Sequence, residues 1–476
     1  MSDTTRALSA LRPLAALLAV ILAIGGCATN TVAPSPSLAI PATWNAAIDT
    51  PGKNENATAA WWRQAGSTEL ADLIEQALRN NRDLRAAAAR VLQARALTGE
   101  VDSELQPQLN GVAAVRRGRD TLLDPRSTSV RAGLQASWEA DLFGAKKLAS
   151  QAAQLDSERA ELARQGMETV IAAEVATSYL DAAILARRVR LGELYLDKLD
   201  QATRIAGKQF EAGHLSRPEV LSRERQHKAA LIEQANLESS LLQRMIQLGV
   251  LLGVPAGDIK PRFQELDRLT LPAPDFALPG ELLERRPDVQ QHLKAVNAEA
   301  ARLGISRREI YPRLVFAWDN SLERARIDGD SPTRGVALGY GVTLTLPILD
   351  GGRIRSHIQV SEARLTEAMA GYEKAMLEAL ADAETVLLRQ KAAAATLALS
   401  KDALKLAAQS TEKTTRQFHA GQADRSRIVD AELAELKMRE AHQQALGSHW
   451  ATSVEVLRAF SGPIDVATPA ETTPSL

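Results

Sequence analysis

The feature that most constrains the fold is an internal duplication, because the two halves of a duplicated chain share one order of elements. Three groups of short segments recur in the same order, the first displaced by 205 residues (position 83 to 288) and the others by 208 (position 210 to 418). They are residues 83–84 with 107–109 against 288–289 with 312–314, residues 210–213 (FEAG) against 418–421 (FHAG), and residues 252–253 against 460–461. The chain therefore divides into a first repeat, residues 68–258, and a second repeat, residues 280–462.

Each repeat is predicted to contain the same elements. A helix comes first, at about residues 68–104 and 280–310, and a pair of strands and two long helices follow. The long helices are predicted to turn back at FEAG and FHAG, where Gly213 and Gly421 stand at a helix C-cap that favours a positive φ. Each half is thus a helical hairpin attached to a β-hairpin, and the proline-rich residues 259–279 are the predicted linker.

The first long helix is unusually long. No proline interrupts the chain between Gly144 and Arg217, and Leu148, Leu155 and Leu162 lie seven residues apart. A helix of about 65 residues spans about 100 Å, which is more than a single globular domain can enclose. The sustained near-heptad spacing predicts packing against other helices, as in a coiled coil.

The strands are identified by alternation. From residue 336 to 346 every second side chain is large and apolar, and the side chains between them are small. The same reasoning predicts strands at about residues 109–116, 130–138 and 314–322. Four strands are too few to close a barrel. Two arrangements remain: an α+β domain in which a helix covers the apolar face, or a transmembrane sheet whose apolar face contacts lipid and whose other face contacts water.

Aromatic residues favour the transmembrane arrangement. Trp138 and Trp318, with Tyr311 and Phe143 beyond the strands, lie near the predicted strand ends, and Tyr340 is assigned with Trp138 and Trp318 to a predicted membrane girdle. Aromatic girdles at this position are typical of outer-membrane barrels. No segment after the N-terminal leader reaches 18 consecutive apolar residues, so any membrane span is predicted to be made of strands. Several chains would then share one barrel.

The N-terminus has the features of an export signal. A positively charged start precedes an apolar run at residues 14–24, which is too short to span a membrane, and the only cysteine of the chain, Cys27, follows. Residues 24–27 (IGGC) resemble a bacterial lipobox, which implies a covalent lipid on Cys27. We therefore predict a signal peptide at residues 1–26 and a lipid-anchored N-terminal segment at residues 27–67.

Composition argues against several other functions. The chain has 57 lysines and arginines against 58 acidic residues, a net charge of −1, so nothing in its overall charge indicates a nucleic-acid partner. The seven histidines are scattered without metal-ligand spacing, and there is no GxSxG or phosphate-binding loop. We expect no enzymatic activity, no metal and no cofactor other than the lipid on Cys27.

Several motifs together resemble a known family. These are the lipobox, the twofold repeat, the paired FxAG segments, WEADLFG at residues 138–144 and LPILDGGR at residues 346–353. They resemble the outer membrane factor family of tripartite efflux and type I secretion systems, which is TolC/OprM-like, and in particular its NodT-type lipoproteins. The resemblance implies a mainly α protein with a small transmembrane β part, in which three chains form a 12-strand β-barrel continued by a 12-helix α-barrel.

The resemblance also implies a location and partners. The protein would be a homotrimer in outer-membrane lipid that extends into the periplasm, bound to a periplasmic adaptor (membrane fusion) protein and, through it, to an inner-membrane RND pump. Its function would be a passive efflux conduit with a helical gate at the periplasmic end. Two alternatives stay open: the outer-membrane channel of a type I protein secretion system, and a non-channel periplasmic coiled-coil lipoprotein.

The resemblance places candidate functional residues near the helix tips. Asp430 aligns with the family's constriction, where three carboxylates would form a ring that attracts cations. Arg427, three residues earlier on the same predicted helix face, is close enough to pair with Asp430. The predicted adaptor-docking residues at the two tips are Gly213, His214, Leu215, Gly421, Gln422 and Ala423. The tail at residues 463–476 is predicted to be disordered.

Overall fold

The structure is a computed structural model that describes residues 36–45, 60–119, 126–259, 261–263, 269–273, 276–327 and 330–464. Its contacts divide the described chain into two compact units. Among the described residues, the sheet unit comprises residues 36–37, 90–161 and 291–374, and the helical unit comprises residues 38–89, 162–290 and 375–464. The division interleaves the two repeats, because each repeat contributes residues to both units.

The first repeat consists of two helices, two strands and two further long helices. In chain order these are α1 (Thr68–Asn80), α2 (Arg82–Ser103), β1 (Gln108–Gly118), β2 (Ser127–Ala140), α3 (Ala145–Glu211) and α4 (Arg217–Leu252). Short 3₁₀ turns precede and follow them at Trp61–Gln64 and Ala256–Asp258. The predicted helix–strand–strand–helix–helix order is therefore present.

The second repeat has the same order. Its elements are α5 (Pro279–Arg285), α6 (Pro287–Arg308), β3 (Arg313–Ile327), β4 (Thr333–Thr345), α7 (Arg353–His419) and α8 (Arg425–Phe460). The lengths of the long helices match between the repeats: α3 and α7 have 67 residues each, and α4 and α8 have 36 each.

The first helix of each repeat is interrupted, which the predicted single helices at residues 68–104 and 280–310 did not include. In the first repeat the helix is interrupted at Asn81, whose ψ of 135° is not helical. The side chain of Asn81 caps the start of α2. In the second repeat the break falls at Arg286, directly before Pro287. A residue that precedes proline is disfavoured in the α conformation, so α5 ends there.

The four strands form one antiparallel sheet in the order β1-β2-β3-β4. Continuous registers join β1 to β2, β2 to β3 and β3 to β4, without a bulge in any ladder. All strands are longer than predicted. Strand β3, for example, continues to Ile327, because its residues after Leu322 still pair with β2 as far as Ser127 and with β4 as far as Thr333. Strands β1 and β4 are the two edges.

The helical unit holds the largest hydrophobic core. Tyr179 and Leu180 of α3, Leu248 of α4 and Trp62 lie in one buried cluster that also includes Val454 of α8. One window of α3 has the length and hydropathy of a membrane-spanning helix, but 61% of that window is buried inside the protein. Burial of this kind is what the core helix of a helical unit shows, so the window does not indicate a transmembrane helix.

Candidate functional site

The apolar face of the sheet is exposed to its surroundings. The alternating large residues of β4 all lie open, with Tyr340 88% exposed and Val336 67% exposed. Leu322 and Phe316 of β3 lie on the same face and are exposed as well. In the part of the chain that the structure describes, no helix covers this face. The α+β arrangement, in which a helix of the same chain packs on the sheet, is therefore wrong.

The aromatic residues form contacts on and beside this face. Trp138 of β2 stacks on Phe316 of β3 with ring centroids 5.6 Å apart, and its indole Nε1 donates to the carbonyl of Leu105. Trp318 and Tyr340 are register neighbours across β3 and β4. Trp318 and Tyr340 lie inside β3 and β4 and not at their ends, whereas Trp138 lies near the end of β2. Their role as a membrane girdle stays a prediction.

The opposite face of the sheet is polar and lined by small residues. Arg131 of β2 forms an ion pair there with Asp319 of β3. Glycine makes room for this pair, since a Cβ on Gly339 would lie 2.6 Å from the Asp319 Oδ1 atom. A second pair joins Arg313 to Glu139, with Nη2 2.6 Å from Oε2. One face of the sheet is thus suited to lipid and the other to water.

The two helical hairpins turn as the sequence predicts. Gly213 and Gly421 have φ of +75° and +74°, a conformation that glycine adopts without the strain of a Cβ. The backbone nitrogen of the next residue closes each turn: His214 donates to Gln209 O and Gln422 donates to Gln417 O, both at 2.8 Å. These glycines and the residues that follow them are exposed. They are therefore accessible at the tips.

Different residues cap the helices that leave the two tips. At the start of α4 the Glu219 carboxylate accepts hydrogen bonds from the backbone nitrogen (2.8 Å) and hydroxyl (2.6 Å) of Ser216. At the start of α8 the Asp424 side chain accepts from the backbone nitrogen of Arg427 at 3.1 Å. Both arrangements satisfy donors that a helix start leaves unpaired.

Asp430 pairs with a residue that sequence analysis did not identify. Its Oδ1 atom lies 2.8 Å from Nη2 of Arg223 on α4, so the ion pair joins the two repeats. Arg427, the predicted partner, is not among the described contacts of Asp430. The reason is the orientation of α8: Val429 is buried against Leu199 of α3, which turns the following Asp430 towards α4.

A cleft opens beside this ion pair. It has a volume of about 320 Å³ and lies between α3, α4 and the start of α8. Its lining residues include Ala202, Ile205, Gln209, Ser222, Arg223 and Asp430. The duplication offers a signal that could have directed attention to Arg223, because Ser222 aligns with Asp430 at the offset of 208 and Arg223 follows it. The predicted lipidation site, Cys27, lies outside the described residues.

An exposed apolar sheet face, a polar opposite face and paired helical hairpins define an outer-membrane channel protein. The family model for outer membrane efflux proteins matches residues 73–254 and 278–462, so the chain belongs to that family. It is an outer-membrane efflux channel whose helices extend into the periplasm.

Curated relatives agree with this assignment, and a solved outer-membrane channel has a similar fold. The chain is 27% identical over 457 residues to the pyoverdine export outer membrane protein OpmQ of Pseudomonas aeruginosa, covering 94% of this chain and 96% of OpmQ. It is 28% identical over 369 residues to the outer membrane protein OprJ of the same species, covering 75% and 76%. The fold is similar to that of the outer-membrane channel OprN, with a TM-score of 0.79, 24% identity, and coverage of 91% of this chain and 99% of OprN.

Proposed function

We propose that three copies of this chain form a passive conduit across the outer membrane. The observation that carries the proposal is the sheet: four strands with an exposed apolar face, a polar opposite face and two edge strands, β1 and β4, that have no neighbour on their outer side within the described chain. Edge strands attract further strands. Pairing β4 of one subunit with β1 of the next, three times, closes a barrel of twelve strands.

The helices support the same assembly. Helix α4 exposes Ile232, Leu242 and Val250, and helix α7 exposes Leu399 and Leu406. Apolar stripes on helices of a periplasmic unit favour burial against other helices. In the proposed trimer α4 of one subunit lies against α7 of its neighbour, so that the long helices form a tunnel of twelve helices.

The proposed partners follow from this architecture and from family membership. A periplasmic adaptor would bind the exposed tips that contain Gly213, His214, Gly421 and Gln422, and an RND pump in the inner membrane would supply substrate through the adaptor. The second candidate for the transport system that this channel serves is a type I protein secretion system. The proposed covalent lipid on Cys27 would hold the N-terminus at the membrane. We propose no catalytic step and no cofactor for the conduit.

Trimer formation can be tested directly. Outer-membrane fractions run on a denaturing gel without heating are expected to show a trimer band that converts to a monomer band on heating. A protein that is recovered as a monomer from the soluble periplasmic fraction would contradict the conduit and favour the non-channel alternative.

We further propose that Asp430 and Arg223 form the periplasmic gate. The pair connects α8 to α4, so it holds the tips of the two hairpins of one subunit together, and in a trimer three Asp430 carboxylates would surround the passage. The proposed ring would attract cations and repel anions. Arg427 lies three residues from Asp430 and is exposed, so it can contribute to the charge at the passage without pairing with Asp430.

The gate is tested by single-channel conductance in planar bilayers. Asp430→Ala is expected to raise conductance and to reduce cation preference, because it removes both the carboxylate ring and the bond to Arg223. Glu432→Ala is the matched control, since Glu432 lies two residues further along α8 and pairs with Lys198 of α3 at 2.7 Å. If the two variants have equal conductance and selectivity, Asp430 does not line the constriction.

A further inference from the structure

The apolar face of the sheet ends in a group of arginines. Because the registers have no bulge, side chains two residues apart in a strand stay on one face. On the face that carries Tyr340 and Trp318, the last positions before the hairpin loops are arginines on β1, β3 and β4, and Thr128 on β2. We call these arginines the arginine patch: Arg117 of β1, Arg324 and Arg326 of β3, and Arg334 of β4.

The arrangement of the patch is electrostatically unfavourable on its own. Arg324 and Arg334 are register partners, so two positive side chains stand directly opposite each other. Arg326 and Arg117 both flank Thr128, one row nearer the loops. Like charges in opposed positions destabilise an antiparallel pair. All four side chains are exposed, and in the described residues none has a hydrogen bond or ion pair.

On the opposite face of the same sheet, arginines form ion pairs with carboxylates. There Arg131 pairs with Asp319 and Arg313 pairs with Glu139. Arg131 and Arg313 on the polar face are thus balanced by carboxylates of the protein, whereas no carboxylate among the described residues pairs with the arginine patch. The difference points to an anion other than the described side chains as the partner of the patch.

The position of the patch specifies the source of that anion. From Leu344 to Val336 the apolar residues of β4 extend over about 26 Å along the strand, close to the height of a bilayer's apolar band. The helices join the sheet at the Leu344 end, and the hairpin loops join it at the other end. With the helices in the periplasm, the patch lies where hydrocarbon gives way to the headgroups of the outer leaflet.

We propose that the arginine patch binds the phosphate groups of lipids in the outer leaflet. This inference rests on the proposed function, in which the apolar face contacts hydrocarbon. Guanidinium groups donate two parallel hydrogen bonds to phosphate and keep their charge beside a membrane. The register pair Arg324 and Arg334 offers two such groups on adjacent strands, so one phosphate between them removes their mutual repulsion.

Lipid A, a glycolipid that carries two phosphates, is the probe. The full-length channel in detergent is titrated with lipid A and with dephosphorylated lipid A, and bound lipid is counted by native mass spectrometry. We expect the phosphorylated form to bind more tightly. Arg324→Gln with Arg334→Gln is expected to weaken lipid A binding by about 25-fold, at about fivefold for each arginine. Equal affinity for the two lipids would overturn the proposal.

A matched pair of variants separates the two faces. Arg117→Gln is expected to lose about fivefold in lipid A affinity. Arg116→Gln, one residue away on the opposite face, is expected to leave the affinity unchanged. Equal losses in the two variants would mean that general charge, and not the patch, attracts the lipid. Displacement of lipid A by excess inorganic phosphate would identify a free-anion site and would equally overturn the assignment to lipid.

Two further measurements separate this inference from the proposed function. The double variant at Arg324 and Arg334 is expected to keep its trimer band and its single-channel conductance. A wild-type protein that forms no channel contradicts the proposed function. An intact channel whose lipid A affinity survives the double substitution contradicts the patch alone, and a weakened trimer band with unchanged lipid binding assigns the arginines to contacts between subunits.

Discussion

The two repeats reach the same backbone geometry through different polar chemistry. Each has a break between its short first helix and the helix that leads to the sheet, at Asn81 in the first repeat and at the equivalent Arg286 in the second. The first break is held by a neutral amide and the second by charged groups. The comparison teaches that duplication preserved the position of the break while the interactions that stabilise it were exchanged.

In the first repeat one buried amide satisfies three backbone groups. The Asn81 Oδ1 atom accepts from the backbone nitrogens of Asp83 at 2.8 Å and Leu84 at 3.1 Å, which caps α2. Its Nδ2 atom donates to the carbonyl of Leu251 near the end of α4, at 2.9 Å. Gly253 lies close by, and its φ of +71° ends α4 directly against the carbonyl of Asn80.

In the second repeat a network of charges occupies the corresponding place. Arg286 donates to Asp288 at 2.7 Å and to Asp382 of α7 at 2.9 Å. Arg458 near the end of α8 also donates to Asp382, at 2.9 Å. The C-cap of α8, Ser461, has a φ of −73° and needs no glycine. The second junction is therefore sensitive to protonation in a way that the first is not.

The largest expected loss of stability distinguishes the C-caps of α4 and α8. Gly253→Ala is expected to lower the free energy of unfolding of the channel by about 3 kcal/mol, because its Cβ would meet Asn80 O at 2.6 Å in a backbone conformation that strains an L-residue. Ser461→Ala, at the equivalent position, is expected to cost less than about 0.5 kcal/mol. Denaturant unfolding followed by circular dichroism measures both, and equal losses would contradict the asymmetry.

The second effect tests the buried amide. Asn81→Ala is expected to cost about 2 kcal/mol, since it removes the cap of α2 and leaves the Leu251 carbonyl without its donor. Asn81→Ser retains an oxygen that can cap the helix and is expected to recover about half of the loss. Denaturant unfolding curves of the two variants measure both losses. If Asn81→Ser is as unstable as Asn81→Ala, capping contributes nothing and the bond to Leu251 accounts for the whole effect.

The third effect concerns a feature that the repeats share. Gly213→Ala and Gly421→Ala are each expected to cost about 1 kcal/mol, because both positions require a positive φ and neither Cβ would meet a neighbouring atom. The two losses should agree within about 0.5 kcal/mol, since the hydrogen bonds at the turns are alike. Thermal unfolding is the measurement. A large difference between the tips would show that the local turn is not what determines their stability.

The sequence predicted the features that local pattern controls. Alternation at residues 336–346 identified β4 and its apolar face, and the absence of proline after Gly144 identified a helix that proved to have 67 residues. The turns at Gly213 and Gly421 followed from glycine's tolerance of a positive φ. In each case residues close in the chain determine the structure.

The features that were missed are one contact between distant residues and two breaks in helices. The pairing of Asp430 with Arg223 joins residues 207 positions apart and follows from how two hairpins pack, which the sequence near Asp430 does not encode. The break at Asn81 had a local signal, because Asn80, Asn81 and Asp83 have low helix propensity and asparagine favours a helix N-cap. The bond from Asn81 to the distant Leu251 carbonyl is the part that the local sequence does not encode. The break at Arg286 had a local signal in Pro287, which the prediction of one continuous helix overlooked.

The smallest expected effect is a difference in the pH dependence of stability that two carboxyl groups cause, one from each repeat. Burial alone would raise the pKa of Asp288, but the hydrogen bonds and charge of Arg286 outweigh it and hold that pKa below its usual value. In the first repeat, burial raises the pKa of Asp181 on α3, although the charge of Arg244 opposes the shift. The two shifts have opposite signs, so they affect stability in opposite pH ranges.

A lowered folded-state pKa stabilises the protein above the unfolded value, near about 4, and that contribution is lost as the pH falls through the folded value. Asp288 is half-exposed, so its contribution is less than about 1 kcal/mol. For Asp181 the folded state binds the proton more tightly than the unfolded state does. The free energy of unfolding therefore falls as the pH rises from the pKa of the unfolded state through the pKa of the folded state.

Asp288→Asn should therefore flatten the acid limb of a curve of stability against pH, and Asp181→Asn should flatten the part of the curve at higher pH, where stability falls as Asp181 loses its proton. An acid limb whose slope is the same in Asp288→Asn as in the wild type would mean that the charged junction of the second repeat does not contribute to the response to acid.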